Sequence, residues 1–342
     1  MRLPNLLTAS AVTFFLTASA FSQATSTTAP AAQTPVAPEP AAAPPAGPLL
    51  PPAQTELATP ALQAAINQFK TTGASPKRTY VTWGEYVTAG GHYFVPVMLY
   101  IPRASGISPA QSLTFFGVVQ DASGKNVSAF EVPAKLTATR DDYFVDLTLL
   151  GLPAGKHRGY FGLAEGADVI SLSTSELQLA GKLDHTAPAV SRMILSNHIY
   201  PLEAAQSPVD PFAFGGLKVV PKADRTFRPA DELWYFVELR NPGLAAPSTD
   251  VVPVTGTASA APKLQVRVDV AGTDDTGKAK KLGAPLREVQ AIEMKGVPGH
   301  YGVGSGIPLA SFKPGEYTLT VRVIDTVRQQ SYTFYEKFRV TG

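Results

Sequence analysis

Apolar and polar positions alternate with the period of β-strands along most of the chain, and the alternation is written twice. Leu113 to Gly124 (LTFFGVVQDASG) and Leu264 to Gly277 (LQVRVDVAGTDDTG) are each a strand-like run ending in an Asp/Gly turn. An aromatic segment follows in both copies, DDYFVDLTLLGLPAG ending at Gly155 and GHYGVGSGIPLASFKPG ending at Gly315. Two final strands close each unit, reaching Leu179 in the first and Val340 in the second. A duplicated block of short alternating strands with near-regular turns predicts an all-β chain of two tandem immunoglobulin-like sandwiches.

In the first copy, residues 78–182, the β-rich runs are Tyr80 to Trp83, Tyr93 to Ile101, Leu113 to Gln120, Val127 to Ala138, Tyr143 to Leu149, His157 to Ala164 and Ser171 to Leu179. Pro96 predicts that its strand is an edge or begins there, because proline cannot donate to a central ladder. Asp184-His185-Thr186-Ala187-Pro188 marks the junction, and the second sandwich is expected over 189–342, with insertions at Tyr200 to Pro211 and Leu244 to Pro262.

Ahead of the sandwiches the strand period disappears. Thr59-Pro60 reads as a cap with proline at the first helical position, and Leu62, Ile66 and Phe69 recur at helical spacing up to Gly73. A short helix is predicted over 59–72, its apolar stripe docked on the flank of the first sandwich. Residues 25–58 form a linker poor in large apolar side chains, reduced to Ala, Pro, Thr and Gln as far as Pro52, and such a tether cannot offset its ordering entropy. Residues 1–24 place Arg2 before an apolar run (Leu6 to Leu16) and small residues at Ala18-Ser19-Ala20 or Ser22-Gln23-Ala24, the order of a secretory signal peptide. No other run is apolar for long enough to cross a bilayer as a helix.

Composition narrows the partners. The 342 residues hold 29 basic and 27 acidic side chains, so net charge gives no pull on nucleic acid. There is no cysteine, hence no disulfide and no lipidated cysteine; an exported chain stabilised without disulfides fits a bacterial periplasm or cell surface.

Three segments of the second unit carry a family resemblance: Phe214 to Pro221 (FGGLKVVP), Leu233 to Leu239 (LWYFVEL) and Phe312 to Asp325 (FKPGEYTLTVRVID). In that order they resemble the C-terminal β-sandwich of secreted bacterial GWxTD-domain proteins, although the Gly-Trp-x-Thr-Asp motif itself is absent. The resemblance implies a sandwich and carries over no functional residue. Tyr317, two residues after Gly315, also resembles the tyrosine corner of immunoglobulin-like folds, whose phenol bonds back to the preceding loop. His157 holds the equivalent place after Gly155 and is expected to make a similar bond.

Candidate chemistry is sparse. His92, His157, His185, His198 and His300 stand singly, without the short spacings of metal ligands. Asp141-Asp142 and Asp274-Asp275 lack the alternating oxygens of a calcium loop and lie where Asp favours turns. Gly302-Val303-Gly304-Ser305-Gly306 has no helix after it to receive a phosphate and reads as a flexible strand connection. Lys278, Lys280 and Lys281 read as a solvated edge that discourages aggregation. Trp83, Tyr86, Tyr93 and Tyr100 are the candidate carbohydrate contacts, if they form an aromatic platform instead of a core. The sequence therefore predicts an exported, non-catalytic envelope protein without a cofactor, with another envelope protein as partner; the alternative is a carbohydrate- or peptidoglycan-binding module using those aromatics.

Overall fold

The computed structural model describes residues 54–87, 93–180, 187–202, 211–214, 216–245, 260–294 and 298–342. The signal peptide, most of the linker, His92, His185 and most of the two insertions lie outside the described residues.

Helix α1 (Pro60–Thr72) precedes the first sandwich, whose strands are β1 (Tyr80–Trp83), β2 (Tyr86–Val87), β3 (Tyr93–Pro102), β4 (Thr114–Asp121), β5 (Asn126–Pro133), β6 (Thr137–Ala138), β7 (Asp142–Leu150), β8 (Gly155–Glu165) and β9 (Asp168–Leu179). The second holds β10 (Ala189–Val190), β11 (Ile194–Pro201), β12 (Ala213–Phe214), β13 (Leu217–Pro221), β14 (Thr226–Phe227), β15 (Glu232–Arg240), β16 (Leu244–Ala245), β17 (Ala261–Pro262), β18 (Leu264–Asp274), β19 (Ala279–Gly283), β20 (Arg287–Val289), β21 (Ile292–Glu293), β22 (His300–Pro308), β23 (Gly315–Asp325) and β24 (Gln330–Val340).

The duplication is structural. A four-stranded sheet ordered β5-β4-β8-β9 in the first unit is matched by β19-β18-β23-β24 in the second, and the facing sheets pair β3 with β7 and β15 with β22. The hairpin turns agree atom for atom. One carboxylate oxygen of Asp121 accepts from the Ser123 N–H and hydroxyl and the Lys125 N–H; one oxygen of Asp274 accepts from the Thr276 N–H and hydroxyl and the Lys278 N–H. Gly124 and Gly277 close these turns at φ 85° and 82°, where a side chain is strained.

Each sandwich has its own interior. Phe115, Val119, Phe161 and Leu163 meet Val95, Val97 and Leu99 in the first; Tyr317, Leu319, Val321 and Val323 meet Leu233, Tyr235 and Val237 in the second. Alternate residues of β4 point the other way, and α1 covers them: Leu62, Ile66 and Phe69 pack on Phe116, Val118 and Tyr160. The helix therefore lies across a sheet face, not on the flank. The Thr59 side chain caps no helical N–H and instead bonds Glu131, while Gly73 at φ 65° ends the helix by donating to the Phe69 carbonyl at 2.8 Å. The chain on either side of α1 is tied to the sheet edges, Gln54 to β5 (Ala129 N–H, 2.6 Å) and Lys77 to β9 (Ile170 carbonyl, 3.0 Å).

Two further expectations are corrected. Strand β3 is central, between β1 and β7, and Pro96 sits where β1 has ended and β2 not begun; its carbonyl faces Gly84, so its missing N–H falls in that break. Gly302 to Gly306 is the interior of β22, paired along its length with β15, and not a flexible connection.

Candidate functional site: the junction between the sandwiches

Residues 50–342 form one compact unit, because the two sandwiches meet face to face. Strand β3 is buried on both sides, its second face contributing Phe94 and Met98 to the apolar junction and Tyr100 to its polar contacts with Lys222. That two-sided burial explains the nearly unbroken apolar run YFVPVMLYIP. Phe144 joins from β7, and Ile194, Phe212, Phe214, Val219, Val220 and Met294 close from the other unit. Tyr86 bridges them, with Phe94 at 5.7 Å on one side and Phe214 at 5.1 Å on the other, and Phe214 stacks at 4.3 Å on Phe236. A β-carbon on Gly302 would lie 2.8 Å from the Phe236 ring, so β22 uses glycine to seat that ring.

Charges register the two faces. On β7, Asp142 and Asp146 are four apart and share a side; on β13 and just after it, Lys218 and Lys222 have the same spacing. Lys218 meets Asp146 at 2.5 Å, and Lys222 meets Asp142 at 3.3 Å and Asp224 at 3.3 Å. Lys222 also donates to the phenol oxygen of Tyr100, which donates to Asp142. Both lysines are buried. Burial, the nearby Asp224 charge and the bond to Asp142 push the Tyr100 phenol far above its ordinary range, so it remains a donor. Burial also raises the Asp224 carboxyl, against the pull of Lys222. At the rim, Arg140 meets Asp231 at 2.6 Å, and Arg228 bonds Asp141 in the opposite sense.

Beside this network a cleft of about 240 Å³ is lined by Thr82, Trp83, Tyr86, Arg192, Arg225 and Glu336, among others. Arg225 and Glu336 pair at 2.8 Å in its lining, and burial raises the Glu336 carboxyl. Elsewhere on the same sheet face His300 Nδ1 lies 2.5 Å from Glu238, both buried.

The four candidate carbohydrate contacts are dispersed. Trp83 is in the first core, edge-on to Phe161 at 5.3 Å; Tyr86 and Tyr100 are in the junction; Tyr93 donates to the Ala180 carbonyl at 3.0 Å. Trp83, Tyr86 and Tyr100 are each only 2% exposed, so they present no open ring face for a sugar. The corner residues do bond back: Tyr317 donates to the Lys313 carbonyl at 2.8 Å and His157 Nε2 lies 2.7 Å from the Pro153 carbonyl. Burial lowers His198. Among the described residues no three His, Cys, Asp or Glu side chains gather as a metal site. Asp274 is committed to its turn, and Asp141 and Asp142 to cations of the junction.

The residues that sequence reasoning missed are Asp142 and Asp146 as partners of Lys218 and Lys222. The sequence carries only the matched spacing, two acids and two bases each four apart in largely apolar strands, which does not by itself pair them.

No protein-family model matches the chain, and no curated protein matches it. Among solved structures it is similar to a red sea bream transglutaminase with a TM-score of 0.18 and 9% identity, over 82% of this chain and 34% of that one. The chain thus spans about a third of that protein's length.

Proposed function

We propose that this chain is an exported, non-catalytic bacterial envelope protein, a protein-interaction or spacer module related to the GWxTD-domain proteins it resembles in sequence. The observation that carries the reading is the fate of its ionisable side chains. Lys218, Lys222, Asp142, Asp146, Asp231 and Arg140 are committed to holding one sandwich on the other, an arrangement that makes a stiff body. What such a body offers a partner is its sheet edges and end loops. The leader over residues 1–24 and the proline-rich linker give the reading its compartment.

Fractionation of a bacterium expressing the full chain tests it. A mature protein beginning after Ala20 or Ala24, recovered in the periplasmic or extracellular fraction, is expected. Cytoplasmic protein with Met1 and its leader intact overturns the proposal.

A further inference from the structure

Among the described residues, most terminal strands of the sheets are short, charged or tied to other chain segments. Strands β5 and β9 are tied to the chain flanking α1. The edges of the five- and seven-stranded sheets, β1, β6, β12 and β21, are two to four residues long. Strand β19 carries Lys280 and Lys281. Short, charged or covered edges are the usual protection against pairing with another chain.

Strand β24 carries Lys337 and Arg339 and is covered by β14 at its end, but from Gln330 to Tyr335 it has neither protection. It is 11 residues long, pairs with β23 without a bulge from Val340 to Gln330, and on its other side meets, among the described strands, only β14, at Arg339 and Val340. The N–H groups of Arg339 and Thr341 point away from β23, bonding Arg225 and Phe227 at 2.9 Å each. Alternation along the strand then turns the N–H and C=O groups of Ser331, Thr333, Tyr335 and Lys337 outward as well. The segment Gln330 to Glu336 (QSYTFYE) is polar-aromatic, with no proline, no lysine and one charge.

We propose that this edge pairs with the same edge of a second copy, antiparallel about Thr333. That register places Tyr332 opposite Phe334 twice, Ser331 opposite Tyr335 twice, and Gln330 opposite Glu336 twice. No like charges are opposed, and aromatic pairs of this kind stabilise antiparallel neighbours. Phe334 and Tyr332 are only half-buried, with Phe334 on the margin of the second core, so the partner completes a cover that one copy leaves open. Tyr335, 67% exposed, is also covered. The register stops short of Lys337 and of β14 itself, and at its end Gln330 of the second copy comes beside the Arg225–Glu336 pair. It closes, too: the joined sheet ends on β19 at both sides, where the lysines discourage a third copy. The inference deepens the interaction-module reading by naming a partner, and its test in purified protein is separate from the export test.

The experiment is solution mass by light scattering and sedimentation across a concentration series of the full chain. A monomer–dimer equilibrium is expected, with dimerisation at least about tenfold weaker in Thr333→Lys, which sets two ammonium groups opposite each other at an exposed position. Thr333→Cys supplies a second readout, since the chain has no cysteine: mild oxidation should give a disulfide-linked dimer, and the same change at Thr318 should not. Wild-type protein that stays monomeric throughout, or a dimer unaltered by Thr333→Lys and not trapped by Thr333→Cys, overturns the proposal.

Discussion

Lys222, in the second sandwich, donates to the phenol oxygen of Tyr100 in the first, and the two share the Asp142 carboxylate. A cation this deeply enclosed tolerates burial only because its partners are in place. Lys222→Ala leaves Asp142 and Asp224 buried without their cation, and the loss should be about 3–5 kcal/mol in urea unfolding. Lys156, paired with Glu176 at 2.9 Å in the open, is the comparison: Lys156→Ala should cost about 0–1 kcal/mol. Equal losses at the two sites would show that Lys222 does not stitch the junction.

The corner bonds allow the repeat to be tested chemically. Tyr317→Phe removes the hydroxyl that reaches the Lys313 carbonyl and keeps the ring between Phe312 and Phe338. A loss of about 0.5–1.5 kcal/mol is expected, the worth of one ordinary hydrogen bond. A Phe variant as stable as the wild type would make the ring, and not the bond, the reason for tyrosine there.

Facing along β23 gives a sharper contrast. Leu319 is fully buried and its neighbour Thr320 lies on the open side. Leu319→Ala should cost about 2–5 kcal/mol in thermal or urea melts, and Thr320→Ala about 0.5 kcal/mol or less. Similar losses would contradict the alternation.

Strands of the repeat were legible because one periodicity governed them: Tyr317, Leu319, Val321 and Val323 alternate with polar neighbours, and D-A-S-G-K and D-D-T-G-K each write the same turn. The helix was legible for a similar reason, with Leu62, Ile66 and Phe69 on one stripe. The face-to-face junction was not. A strand buried on both sides, such as β3, reads as an apolar run that says nothing about what covers the second face, so the sequence leaves open whether Tyr86 and Tyr100 fill a core or form a surface platform. Gly302 to Gly306 resembled a loop because glycine has low strand propensity; the reasons lie across the ladder on β15, the Phe236 ring at Gly302, the Tyr235 carbonyl at Gly304 and the Glu232 side chain at Gly306. Nor does an isolated lysine name its aspartate, and Lys218 with Lys222 acquired meaning only beside Asp142 and Asp146.

Acid should loosen the hairpins. The Ser123 hydroxyl holds Asp121 below the ordinary carboxylate range, as the Thr276 hydroxyl does Asp274, with backbone N–H groups adding to both. A lowered folded-state pKa means stability that is present above the unfolded value and lost as pH falls through the folded one. Melts of Asp121→Asn and Asp274→Asn should therefore fall below the wild type at neutral pH and converge on it in acid, below the usual Asp range of about 3.9. A gap that is constant with pH would mean that the charge of these carboxylates plays no part.

The central claim is that two sandwiches share one junction and unfold as one body. The chain supplies its own reporters, since of its two tryptophans Trp83 lies in the first sandwich and Trp234 in the second. Urea unfolding followed by fluorescence in Trp83→Phe and Trp234→Phe variants, beside the circular dichroism of each, measures the two halves separately. Coincident fluorescence and dichroism transitions are expected within each variant, with Phe214→Ala moving both reporters together. Two separated transitions in the same protein, or a Phe214→Ala shift confined to Trp234, would contradict the shared junction.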